Sequence, residues 1–220
     1  MSGIKNGDFV EIDYTGKIKD SDAVFDTTGK DVADKEGIAQ QGNPYKPVVI
    51  CVGENQVISG IDEALVGKEP GEDFKVEVTP EKGFGKKNAK LIRMIPQRVF
   101  SKQDVEPQVG LQVQVDGQFG IIRAINPGRV IVDFNNPLAG KNLVYMLKVK
   151  RIITDTEEKL RSIISPVFSD ADIKIEDHIA TIKVKNEVPE EIQNLFQDRI
   201  AKVIPEIKKV TFIFEETTKK

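Results

Sequence analysis

The chain has 220 residues, 39% of them hydrophobic and 30% charged, with a net charge of −3. That size holds one to three small domains, and so balanced a charge gives no argument for a nucleic-acid partner from the chain as a whole. There is no run of 18 apolar residues to span a bilayer, the first residues lack the apolar core of a signal peptide, and a lone Cys51 excludes an internal disulfide, so a reducing, cytoplasmic setting is expected.

The first strand material is Phe9 to Ile18, where Val10, Ile12 and Tyr14 share one parity and so face one side of a sheet. A short second strand ends at Val24-Phe25-Asp26. From Thr27 to Lys46 the residues are polar and broken by Gly29, Gly37, Gly42 and Pro44, which predicts a long surface loop. Val48 to Val52 reads as a strand, and its Cys51 as a small buried hydrophobe. Gly53 to Ile58 then leads into a short helix, Ile61 to Val66, closed by Gly67 in the left-handed position. Ser59, with Asp62 three residues on, is expected to cap that helix. Val57, Ile58 and Ile61 thus form an apolar floor beside outward-pointing backbone amides, suited to an uncharged carbonyl compound or a peptide.

Phe74, Val76 and Val78 alternate in a further strand that stops at Thr79-Pro80. Gly83-Phe84-Gly85 follows, an aromatic between two permissive residues, either a turn anchor or a ring presented across a pocket mouth. Lys86 to Asn135 differs in character. It carries eight basic against four acidic residues, a net of +4, and short strands at Leu91–Ile95, Leu111–Val115, Phe119–Ile125 and Val130–Phe134. Its turns fall at Asp116-Gly117 and Asn126-Pro127-Gly128, so it reads as a small all-β module. Pro137-Leu138-Ala139-Gly140-Lys141 returns to a strand from Leu143 to Ile153.

Composition breaks at Thr154, where Thr154-x-x-Glu157 has the form of a capping box. Leu160, Ile163, Ile164, Val167 and Phe168 lie at helical spacing, and Pro166 ends or kinks that helix near Ser165. A hairpin over 173–184 turns at Glu176-Asp177-His178. A second helix starts at Pro189, and Val210, Phe212 and Phe214 alternate in a closing strand. The order α-β-β-α-β predicts a small α+β domain with its own core.

Together, Tyr14-Thr15-Gly16, Phe25-Asp26, Val52-Gly53, Val57-Ile58-x-Gly60-Ile61-Asp62-x-Ala64-Leu65, Gly67, Gly71, Pro80 and Gly83-Phe84-Gly85 resemble the FKBP-type peptidyl-prolyl cis-trans isomerases in order and spacing. The basic insert, with Asn136-Pro137-Leu138-Ala139-Gly140-Lys141-Asn142-Leu143-Val144-Tyr145, resembles the SlyD-like branch, and the extra C-terminal region resembles its long archaeal form. The resemblance implies an α+β fold, with an FKBP-type curved antiparallel sheet around a short helix, an inserted small all-β domain and the C-terminal α-β-β-α-β domain. It implies an isomerase domain over 1–85 and 136–153, an insert-in-flap chaperone domain over 86–135, and a C-terminal domain of unassigned role over 154–220.

Residue by residue, it places Tyr14, Phe25, Asp26, Val57, Ile58, Ile61, Phe84 and Tyr145 at the catalytic pocket, with Val48 and Leu138 as substrate contacts. In that setting the Ile58 amide holds the substrate carbonyl and Asp26 supplies polarity toward the twisting amide. Read without the resemblance, Asp26 is a loop carboxylate bonded to nearby amides. Ile61 stands where many members have a tryptophan and Val48 where an aromatic is common, which implies a shallower pocket.

The implied partners are unfolded, proline-containing polypeptides. The C-terminal domain either pairs with a second copy of the chain through the Val210–Phe214 strand, if its edge is open, or docks on the isomerase domain, and no cofactor, metal, membrane or nucleic acid is expected. SlyD-like proteins often carry a histidine- and cysteine-rich tail, whereas this sequence has Glu215-Glu216-Thr217-Thr218-Lys219-Lys220 there. The rival readings are a non-catalytic polypeptide-binding module with a vestigial pocket, and an RNA- or ribosome-binding factor using the basic insert. The scattered basic residues, not interleaved with aromatics, argue against the second.

Overall fold

The computed structural model describes residues 3–102 and 104–214; the Glu215–Lys220 stretch lies outside them. The chain forms two compact units, one holding the chain up to Glu77 and again from Val144, the other Val78–Leu143.

In the first unit the organising strand is β1 (Phe9–Ile18), which pairs antiparallel with β2 (Val24–Thr27) and β3 (Val48–Cys51). The sheet continues from β1 to β9 (Leu143–Ile153) and β4 (Asp73–Val78), so the last strand returns to the sheet's middle. Val10 and Ile12 of β1 are buried, as their shared parity predicts.

Between Gly29 and Lys46 the polar stretch contains a six-residue helix, α1 (Lys30–Lys35), around the buried Ala33. So short a helix holds too few apolar residues to leave a periodic signal. The helix α2 (Ser59–Leu65) buries Ile61 and Leu65, and Gly67 follows at φ +82°. Its N-cap is Ile58, without a side-chain cap. Asp62 instead ties down the preceding loop: its carboxylate accepts from the Gly53 amide at 2.8 Å and the Asn55 amide at 3.1 Å. A buried carboxylate takes the backbone donors within its reach, and here those belong to the loop.

The C-terminal elements are α4 (Thr156–Ile164), β10 (Asp172–Glu176), β11 (Ile179–Val184), α5 (Glu190–Val203) and β12 (Lys209–Phe214). Asp155, one residue past the expected cap, accepts from the Glu158 amide at 2.8 Å, and α4 ends at Ile164, two residues before Pro166. β10 and β11 form the hairpin, and α5 carries the chain back so that β12 lies parallel to β11. Phe168, Phe196 and Phe212 meet with ring centroids 5.6 to 6.1 Å apart. This core does not stop at residue 154. Phe9 and Cys51 are buried in the same cluster as Leu160, Ile163 and Ile164, and Arg151 links Glu11, at 2.8 Å, with Glu158. Burial pushes the Cys51 thiol up to about 11, so it stays protonated and unreactive.

The second unit holds the sheet β5 (Ile92–Pro96), β8 (Arg129–Asp133), β7 (Gln118–Asn126), β6 (Gln112–Val115), in that antiparallel order, and a helix, α3 (Gln97–Ser101). Phe100 of α3 is fully buried against Val113, Val115, Ile122, Val130 and Val132 on one sheet face. Asn88 and Asn135 close the base of this sheet reciprocally: the Asn88 amide donates to the Asn135 side chain at 2.8 Å, which donates back to the Asn88 carbonyl at 3.1 Å. Beside them Asp133 is 3% exposed. Burial alone would raise its carboxyl, yet bonds from Asn135 and the charges of Lys87 and Arg123 hold it below the ordinary value. Among the described residues, no helix is long and apolar enough to cross a membrane.

Candidate functional site

In the first unit, Tyr14, Phe25, Asp26 and Tyr145 come together from three adjacent strands. The Tyr14 hydroxyl donates to Asp26 Oδ2 at 2.9 Å. The Tyr145 ring lies 6.1 Å from that of Tyr14 and meets Phe25 edge-on at 5.7 Å. Gly16, paired with Asp26 across β1 and β2, makes room for this: a Cβ there would stand 2.7 Å from Phe25 Cζ and 2.8 Å from Tyr145 Cε1.

Two threonines hold Tyr14 from behind. Its amide donates to Thr28 Oγ1 at 3.0 Å, and Thr27 Oγ1 donates to its carbonyl at 3.1 Å. The Thr27 hydroxyl also meets Thr15 at 2.8 Å, and Thr28 donates to Asp13 at 3.0 Å. With the backbone pinned on both sides, the Tyr14 ring is fixed. Burial raises the phenols of Tyr14 and Tyr145 above the ordinary value, and the Asp26 carboxylate adds to both shifts. Both stay neutral hydrogen-bonding groups at physiological pH.

Ile61 is 3% and Tyr145 4% exposed, whereas Val48, Val57 and Ile58 are half-buried. The Ile58 carbonyl accepts from the amides of Ile61, at 2.9 Å, and Asp62, at 3.2 Å. The Ile58 amide has no hydrogen-bond partner among the described residues. Tyr14, Val48 and Val57 also line a cleft of about 520 Å³ whose far wall comes from the C-terminal elements.

Phe84 and Leu138 belong to the second unit. Phe84 sits half-buried in a turn closed by the Gly85 amide on the Pro80 carbonyl at 2.7 Å, with Gly85 at φ +76°. The loop carrying Leu138 lies against that turn, because the Gly140 amide donates to the Gly85 carbonyl at 2.8 Å. Two motifs separated by the basic insert in sequence are therefore neighbours in space.

The sequence reading missed the supporting hydroxyls of Thr27 and Thr28 and the packing role of Gly16. For Gly16 the signal was present, a glycine inside a strand two residues after an aromatic, which marks a close approach. The C-terminal wall of the cleft left no comparable mark.

Residues 2–100 match the family model described as "FKBP-type peptidyl-prolyl cis-trans isomerase", and residues 93–138 match one described as "FKBP26, IF domain". The chain is 36% identical over 149 residues to the short-type peptidyl-prolyl cis-trans isomerase of Methanocaldococcus jannaschii, a match covering 68% of this chain and 94% of the relative. It is 33% identical over 134 residues to the FKBP-type peptidyl-prolyl cis-trans isomerase SlyD of Escherichia coli K12, covering 59% of this chain and 68% of that one. To the SlyD of Haemophilus influenzae it is 34% identical over 108 residues, covering 47% and 56%. Alongside an antiparallel sheet with an aromatic cluster on three of its strands and an inserted β module, these matches show that the chain belongs to the FKBP-type peptidyl-prolyl cis-trans isomerases, on the SlyD-like side of that family.

Proposed function

We propose that the chain rotates X–Pro amides at the cluster of Tyr14, Phe25, Asp26 and Tyr145, without covalent chemistry. A planar amide resists rotation by a barrier of about 18–20 kcal/mol because twisting breaks its conjugation. No bond to the substrate is made, so no nucleophile or proton acceptor is needed. The twisted amide has less charge separation than the planar one. An apolar surrounding therefore disfavours the ground state relative to the transition state. Tyr14, Phe25 and Tyr145 offer that surrounding, the Ile58 amide holds the substrate carbonyl, and Val48 and Val57 flank the entrance. Asp26 sets the local field and fixes the Tyr14 hydroxyl.

The observation that carries this reading is the Tyr14–Asp26 hydrogen bond inside the aromatic cluster. Asp26→Ala should lower kcat/KM on a proline tetrapeptide about ten-fold, equivalent to about 1.4 kcal/mol. Unchanged turnover in the folded variant would remove the assignment. Absence of turnover in the native chain would favour the rival reading, a non-catalytic polypeptide binder, to which the aliphatic Val48 and Ile61 lend some support.

The inserted sheet is proposed to bind unfolded chains. Its outer face is not covered by α3: the cross-strand registers put Ile92, Met94, Phe119, Ile121 and Ile131 on that side, with Met94 59% and Phe119 64% exposed. An apolar surface of this kind, next to Arg129, suits extended polypeptide and would raise the local concentration of prolines for the pocket. We further propose that a second copy of the chain pairs along β12, which lies at the edge of the C-terminal sheet.

A further inference from the structure

We propose that the C-terminal helices extend the substrate groove and select an acidic residue in the polypeptide that flanks the proline. The inference rests on the pocket assignment above, because the cleft of about 520 Å³ has Tyr14, Val48 and Val57 on one side. Its other side comes from Pro166 and Val167, just past α4, and from Arg199 on α5. A peptide with its proline at Tyr14 has to continue beyond the pocket, at roughly 3.3–3.6 Å per residue when extended. This cleft is continuous with the pocket residues, and its volume lies within the ordinary range for ligand clefts.

Its charge is one-sided. Arg199 is the one ionised side chain in a lining that is otherwise aliphatic, aromatic, amide or hydroxyl. Arg199 is exposed and makes no ion pair among the described residues. Three carboxylates of the first unit are already engaged. Glu54 holds Lys202 at 2.8 Å, Asp62 takes the Gly53 and Asn55 amides, and Asp26 takes the Tyr14 hydroxyl. A guanidinium with free donors over an uncharged wall favours a carboxylate and disfavours a lysine. Pro166 and Val167 are exposed and give the stem of the same segment an apolar surface.

The contact is remote from the rotating bond, so it holds ground and transition states alike and acts on KM, not on kcat. The test uses the full chain and peptides with a neutral Ala-Leu-Pro-Phe centre extended on both sides, with Glu, Gln or Lys placed at each flanking position in turn. At one or more positions Glu should lower KM about three-fold relative to Gln, the size of one solvent-exposed ion pair. Lys should raise it. The Glu advantage should vanish in Arg199→Gln, persist in Arg199→Lys and turn into a Lys advantage in Arg199→Glu.

Equal KM for Glu and Gln at every position, or a preference that survives Arg199→Gln, overturns the inference. Affinities from NMR titration of the same peptides read the same ratio without turnover. Loss of turnover on every peptide, the neutral one included, strikes the isomerase pocket. Absence of the Glu-over-Gln ratio in the native chain, with turnover of the neutral peptide intact, strikes only this extension.

Discussion

Gly16 carries no side chain because two rings occupy the space that one would need. The extra methyl of Gly16→Ala would stand under 3 Å from both Phe25 and Tyr145, closer than real carbon contacts come, so both rings must shift. Overpacking of this kind typically costs about 1–3 kcal/mol of stability. Here it also displaces the walls of the proposed pocket. We expect kcat/KM on a proline tetrapeptide to fall about ten-fold, with a measurable drop in Tm, and crystals of the variant should show the Phe25 ring moved. Full activity would mean that the rings do not enclose the substrate. The Tyr-Thr-Gly motif was visible in the sequence, but its purpose was not. A strand glycine announces a close approach without saying to what, and the partners here sit on two other strands.

At the scale of elements, what the sequence made legible followed the strength of the periodic signal. β1, β4 and the C-terminal α-β-β-α-β order all alternate or repeat over several residues, and each appears where its pattern puts it. The helices α1 and α3 do not, since each buries a single residue, Ala33 or Phe100. Asp62 was misassigned for a related reason: a carboxylate near a helix start has two sets of amides to choose from, and only the folded loop decides. Arg199 was illegible, because its place in the cleft comes from packing α4 against Phe9 and Cys51, far away in the chain.

The insert gives a prediction at this scale. Met94 and Phe119 lie on the uncovered face of its sheet, so Met94→Lys with Phe119→Lys should leave the fold in place. Catalysed refolding of a proline-limited protein should then fall about ten-fold more than turnover of a tetrapeptide, as the local-concentration advantage is lost. Equal losses on both substrates would argue that the face does not bind clients.

For the whole molecule, the C-terminal elements are more than an appendage. Their core takes in Phe9 and Cys51, so removing them would strip cover from β1 and β3 as well as from the cleft. They also bring β12, which ends the C-terminal sheet among the described residues and whose Ile213 is 47% exposed. Sedimentation equilibrium of the full chain should show a concentration-dependent dimer, and Ile213→Lys should weaken it about ten-fold or more, because a charge on an open edge opposes strand pairing. A monomer at every concentration, or a dimer indifferent to the substitution, would place any self-association elsewhere.

The reciprocal Asn88–Asn135 bonds and the Gly140–Gly85 bond mean that the basic module leaves the chain and rejoins it at nearly one point. To the strands on either side, it is a loop whose ends already meet, and the entropy of closing a loop grows only slowly with its length. Such a junction behaves as a socket. The module plugged into it can be lengthened, shortened or exchanged at little entropic cost to the strands outside it.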